Sequence, residues 1–197
     1  APALFYVNLS NTALTNMQAF HQALNQAEGA AGLVVDMRGY PGININEVAQ
    51  RLALEPFSSP IFQVPVIDGL DRSTIDELTY PLSPLTSPSF AGPIVLLVGH
   101  ASVSAAENFS TMLVDAGRVT VMGRRSAGTN GNITGVQLPG GFAFTFTGME
   151  VRHADAEHSQ FHAIGIAPAV ESVLTAQDFR DGIDRELEDA VSYLLTL

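Results

Sequence analysis

The segment Gly92-Pro93-Ile94-Val95-Leu96-Leu97-Val98-Gly99-His100-Ala101-Ser102-Val103-Ser104-Ala105-Ala106-Glu107 carries the strongest chemical signal in the chain. A continuous apolar run breaks at Gly99, a cluster of small residues follows, and a helix opens. This reads as a buried parallel-type strand delivering a serine to a helix N-terminus. Free backbone N–H groups and a partial positive charge collect at such a terminus. A serine alkoxide, or the oxyanion formed by its attack on a carbonyl, would be stabilised there. The same residues also spell a capping box, Ser104-x-x-Glu107, which satisfies orphan amides and needs no chemistry. Both readings stand at this point.

The other reactive residue types narrow the chemistry. All nine basic residues are arginine, so a Ser-Lys dyad, a Schiff base or a phosphate-binding lysine cannot be built. There is no cysteine, which removes a disulfide framework and a cysteine-based zinc site and fits an exported protein. His21 falls inside an amphipathic helical pattern, on its exposed face. His100 reads as a strand-end surface residue. His153 and His158 lie in Arg152-His153-Ala154-Asp155-Ala156-Glu157-His158, a run that reads as a polar, solvated loop rather than a metal site. No cofactor is called for.

These residues must be positioned by alternating strands and helices. Strands are expected at 4–9, 32–37, 61–66, 94–98, 119–123, 132–138 and 142–151. Helices are expected at 12–27, 45–54 with Asn44 as cap, 104–116, and once or twice over 177–195. Residues 70–90, rich in Pro and Ser, read as a long loop. Strand, Gly-containing turn and helix recur at 32–54 and 94–116. Both turns should lie at the carboxyl ends of parallel strands, where ligand sites form in α/β sheets.

Composition fits one compact domain: 197 residues, 46% hydrophobic and 15% charged. The net charge of −11 argues against a nucleic-acid binder and against an anionic membrane surface. No apolar run approaches a membrane span. The start at Ala1-Pro2 reads as processed, with any signal peptide or upstream domain gone.

The order Asp36-x-Arg38-Gly39-Tyr40-Pro41-Gly42, then Ser104-Ala105-Ala106-Glu107, then Gly123, then Gly165-Ile166-Ala167-Pro168 resembles the C-terminal processing peptidases and their tricorn-core relatives, peptidase family S41. The resemblance runs from about Leu4 to Leu197. It implies an α/β, ClpP/crotonase-like fold of repeated ββα units with a largely parallel sheet, and a serine nucleophile at Ser104, with Ser102 as the alternative. It implies an oxyanion hole made by the amides of Ala105 and Gly42, which two neighbouring strand-end turns would bring together. The family's usual Asn is Tyr40 here and its second Gly is Ile43. Asp36 and Arg38 are expected to support the turn structurally, because an Asp–Arg pair can pin a loop bidentately.

The general base departs from the family. The processing peptidases place a lysine where this chain has Thr129. The tricorn-like members use an upstream histidine and a glutamate near the Gly-Ile-x-Pro motif, a position occupied here by His162. Histidine has the right unperturbed pKa for a base near neutrality, so His162 is the candidate, with a partly buried side chain of no catalytic role as the alternative. Thr129 and Asn130 could contact substrate, or serve simple turn chemistry.

The expected function is therefore a serine peptidase that hydrolyses a peptide or protein substrate through an acyl-enzyme on Ser104. A catalytically incomplete peptide-binding or scaffold domain is the second reading, and an acyl-thioester enzyme on a shared fold is a distant third. The expected location is the periplasm, the cell envelope or the exterior. Oligomeric state is not legible.

Overall fold

The computed structural model describes residues 3–197; Ala1 and Pro2, read above as a processed start, lie outside them. The chain first alternates β1 (Leu4–Asn8), α1 (Met17–Gln26), β2 (Gly32–Asp36) and α2 (Ile45–Leu52). A first β excursion comprises β3 (Phe57–Ser58), β4 (Ile61–Ile67), β5 (Ser73–Leu78) and β6 (Pro81–Leu82). The alternation resumes with β7 (Ile94–Val98), α3 (Ala105–Asp115) and β8 (Thr120–Gly123). A second excursion holds β9 (Ile133–Leu138), β10 (Phe142–Thr147) and β11 (Glu150–Arg152). Last come β12 (Val170–Glu171), α4 (Ala176–Asp181) and α5 (Arg185–Leu194).

The central sheet has the order β1-β2-β7-β8-β12, and every neighbouring pair is parallel. The apolar runs of β2 and β7 are buried at every position because helices cover both faces. Leu33, Val35, Leu96 and Val98 pack with Phe20, Leu52 and Phe109 of the first three helices. The alternate residues Val34, Val95 and Leu97 pack against Ala190 and Leu194 of α5. Asp36 lies opposite Leu97 in the β2–β7 register, so the turns after these two strands emerge side by side.

Several elements differ from expectation for local reasons. Helix α1 begins at Met17 rather than Thr12, because the Asn16 side chain caps it by accepting the Ala19 amide. Residues 10–14 instead close a turn, with the Ala13 and Leu14 amides donating to the Ser10 carbonyl. The stretch 70–90 is not one long loop. It contains β5, which forms an antiparallel hairpin with β4, and β6. The turn signal was Asp68-Gly69: Gly69 has φ 101°, a conformation glycine adopts without a Cβ penalty. The strand expected over 142–151 breaks at Gly148. Its first part pairs with β9 and its second, β11, joins β4. The C-terminal helical pattern divides at Gly182, a left-handed cap with φ 67°.

Candidate active site

Ser104 occupies the junction between β7 and α3 with φ 52° and ψ −112°. A non-glycine residue held there stores on the order of 1–3 kcal/mol and persists only where its surroundings over-determine it. They do. The Ser104 amide donates to the Thr129 carbonyl at 2.8 Å. Its carbonyl accepts from the Asn108 amide at 2.9 Å and from Asn130 Nδ2 at 3.1 Å. Its hydroxyl makes no capping bond to α3, so the capping box is not formed. Ser102, by contrast, is fully buried. Its Oγ donates to the Met37 carbonyl at 2.7 Å and accepts from the Gly99 amide at 3.0 Å. Ser102 thereby ties the two strand-end turns together and has no free hydroxyl to offer.

Glu107 turns inward from the first turn of α3 and is 0% exposed. Its Oε1 accepts from Ser126 Oγ at 2.6 Å and from the Gly128 amide at 2.7 Å, while Oε2 has no partner. Ser126 Oγ in turn accepts from the Ile166 amide at 2.7 Å. Loop 126–130 is thus clamped between the head of α3 and segment 161–166. Gly128 has φ 67°, and a Cβ there would lie 2.7 Å from the Gly165 nitrogen. The position admits no side chain.

The Ala105 amide, at the N-terminus of α3, has no protein acceptor among the described residues. Gly42 requires a correction: its amide already donates to the Leu9 carbonyl at 3.3 Å. A Cβ on Gly42 would sit 2.6 Å from the Leu14 carbonyl oxygen and 2.7 Å from the Asn11 Cα, so the glycine is dictated by close backbone packing. The next amide, that of Ile43, has no protein acceptor among the described residues.

The turn that carries Gly42 is fixed by charge. Arg38 donates from Nε to Asp36 Oδ1 at 3.0 Å and from Nη2 to Asp36 Oδ2 at 2.7 Å, the fork geometry expected from sequence. It also reaches Asp184 and Glu186 at the head of α5. Arg124 donates to the same Glu186 at 2.6 Å. Burial opposes the Arg38 charge, but the hydrogen bonds to Asp184, Asp36 and Glu186 outweigh it and raise its pKa further.

The histidines separate clearly. His21 Nε2 lies 3.0 Å from Glu47 Oε1, which also binds Arg51, so it joins α1 to α2 instead of standing free on the surface. His100 is exposed in the turn after β7. His153 is not solvated: its Nδ1 lies 2.6 Å from Asp115 Oδ1 at the far end of α3, and its ring meets Phe161 edge-on at 5.1 Å. His158 is exposed. Among the described residues no group of three or more His, Asp or Glu side chains is placed to hold a metal.

The residue after His162 is bonded to the loop that holds Ser104. The Ala163 amide donates to the Gly128 carbonyl at 2.7 Å, and the Ser104 amide donates to the next carbonyl, Thr129. Two bonds to successive carbonyls keep those backbone nitrogens within roughly 11 Å. Ala163, like Ser104, carries a positive φ, 62°. His162 Nδ1 is buried without a hydrogen-bond partner, and no hydrogen bond joins His162 to Ser104. The ring lines a cleft of about 500 Å³ between the β4–β5 hairpin and the β10–β11 segment.

The family model of peptidase family S41 matches residues 4–172. The chain belongs to peptidase family S41. Its fold is similar to that of a candidate peptidase from Parabacteroides merdae, with a TM-score of 0.82 and 25% identity, over 96% of this chain and 60% of that one. It also resembles mature CPAF in complex with lactacystin, with a TM-score of 0.71 and 16% identity, over 99% of this chain and 51% of that one. The photosystem II D1 C-terminal processing protease gives a TM-score of 0.59 at 23% identity, over 85% of this chain and 42% of that one. A Chlamydia trachomatis protein is 30% identical over 92 residues, 46% of this chain and 15% of its own length. The chain thus spans 60% or less of the length of each of these four relatives. The mixed α/β architecture with a five-stranded parallel sheet agrees with the ClpP/crotonase-like description.

In this S41 chain, Thr129 and Asn130 are both built into the support of Ser104. Thr129 uses its carbonyl and leaves its side chain exposed. Asn130 is 3% exposed and spends its amide on Ser104 and Asn108, which removes it as a substrate contact. Sequence reasoning missed the inward role of Glu107 and its partner Ser126. The available signal was weak: Glu107 shares its helix face with Ser110 and Thr111, both buried, so no apolar stripe marks that face as inward.

Proposed function

We propose that this chain is the catalytic domain of a serine peptidase that cleaves peptide bonds through an acyl-enzyme on Ser104. The observation that carries the reading is the strained Ser104, whose hydroxyl is free while its backbone is held on three sides at a helix N-terminus. A sharp, strained strand-to-helix turn presents a nucleophile in this way in other hydrolases.

In this reading Ser104 Oγ attacks the scissile carbonyl carbon and gives its proton to His162. The oxyanion is held by the Ala105 amide, with the Ile43 amide as second donor in place of Gly42. Collapse of the tetrahedral intermediate breaks the C–N bond, and the leaving amine takes the proton from His162. Water, deprotonated by the same ring, then hydrolyses the ester. The Ser104–His162 bond is absent in the free protein and forms with substrate bound, as catalytic hydrogen bonds often tighten only in the complex.

Hydrolysis by the His162→Ala protein tests the base: activity should be largely lost with folding retained. Equal activity in that variant would make His162 structural.

A further inference from the structure

The cleft that His162 lines has a character of its own. Pro65 and Ile75 of the β4–β5 hairpin form one wall, and Phe146 and Met149 form the other. Its volume of about 500 Å³ lies in the ordinary range for ligand sites. The cation at its rim is already neutralised: Arg152 contacts Glu150 and Gln63, each at 3.0 Å. The segment between Arg125 and Glu150 contains no charged residue at all, although the chain carries a net −11. Phe142, Phe144 and Phe146 occupy alternate positions of β10 and remain 72%, 50% and 47% exposed. Natural sheets ordinarily protect such an edge with charge, so an uncharged, aromatic and exposed strand is a surface made for contact.

We propose that this cleft is a specificity subsite that takes a bulky apolar side chain from an extended, uncharged stretch of polypeptide. The proposal rests on the serine-peptidase reading given above. The subsite lies beside the proposed chemistry because His162 is in its wall, and the next residue, Ala163, is bonded to the loop that holds Ser104. An aspartate or lysine in the bound segment would lose its hydration against Pro65, Ile75 and Phe146 and find no free counter-charge.

The test uses fluorescein-labelled Gly/Ser decapeptides with one central Phe, Leu, Ala or Asp, titrated by anisotropy against the Ser104→Ala protein, which cannot turn them over. The Phe and Leu peptides should bind about tenfold or more tightly than the Ala peptide, and the Asp peptide more weakly still. Adding Ile75→Asp or Phe146→Asp, both exposed positions, should erase the preference. Equal binding of all four peptides, or a preference that survives both substitutions, would overturn the proposal. Fluorophosphonate labelling of Ser104 in the Ile75→Asp protein runs in parallel. Retained labelling with lost peptide preference supports the subsite with the nucleophile intact. Absent labelling in the unsubstituted protein would defeat the peptidase reading while the peptide titration still decides the subsite.

Discussion

Glu107 accepts the Ser126 hydroxyl at 2.6 Å inside the protein, and among the described residues no cation meets the carboxylate. This contact couples the head of α3 to segment 161–166, because the same Ser126 oxygen accepts the Ile166 amide. Glu107→Ala strands the Gly128 amide and the Ser126 hydroxyl. It should cost about 2–3 kcal/mol in urea unfolding, the desolvation penalty of unpaired buried groups. Glu107→Gln keeps an acceptor and should cost less. An alanine variant as stable as the parent would show that the clamp is dispensable.

The strain at Ser104 has a measurable signature. Ser104→Gly can adopt φ 52° freely, whereas Ser104→Ala cannot. The glycine variant should therefore be the more stable of the two by about 1 kcal/mol or more, since the strain adds to the ordinary N-cap preference for glycine over alanine. Thermal unfolding of the pair checks it. An alanine variant that is more stable would mean that the backbone is not strained.

Arg38 neutralises two buried carboxylates, Asp36 and Glu186, and one half-exposed, Asp184. Arg38→Ala leaves the buried pair without this cation and should destabilise the fold by roughly 3–5 kcal/mol. Arg38→Lys should recover only part of this, since an ammonium cannot reproduce the fork to Asp36. Chemical denaturation of both variants would show whether the losses fall in that order.

Asp178 provides a pH-dependent contribution. Hydrogen bonds from Thr175, then Arg185, hold its pKa down to about 2. The carboxylate is thus favoured in the native state. Its contribution is full above about pH 4, the unfolded value, and is lost as pH falls toward 2. The stability gap between the parent and Asp178→Asn should be constant from pH 5 to 7 and close in acid. A gap that widens in acid would contradict the assignment.

The parallel core was legible because β2 and β7 are continuous apolar runs that end in turns, and a strand covered on both faces has that composition. Ser104 at the head of α3 followed from the same run. The β4–β5 hairpin was not legible, since every residue of β5 is exposed and its polar sequence, Ser73-Thr74-Ile75-Asp76-Glu77-Leu78, has no buried face to impose a pattern. The capping-box reading failed for a different reason. Spacing shows that Ser104 and Glu107 share a helix turn, but not that Glu107 finds better partners across the fold. Gly42 failed similarly, because its amide was taken by Leu9, a long-range partner that spacing along the chain does not reveal.

The nucleophile can be tested in one measurement. The protein is treated with a fluorophosphonate and the modified peptide is mapped by mass spectrometry. The account predicts a single adduct on Ser104, absent from Ser104→Ala and slowed in His162→Ala. A folded protein left unmodified, or an adduct on another serine, would contradict it.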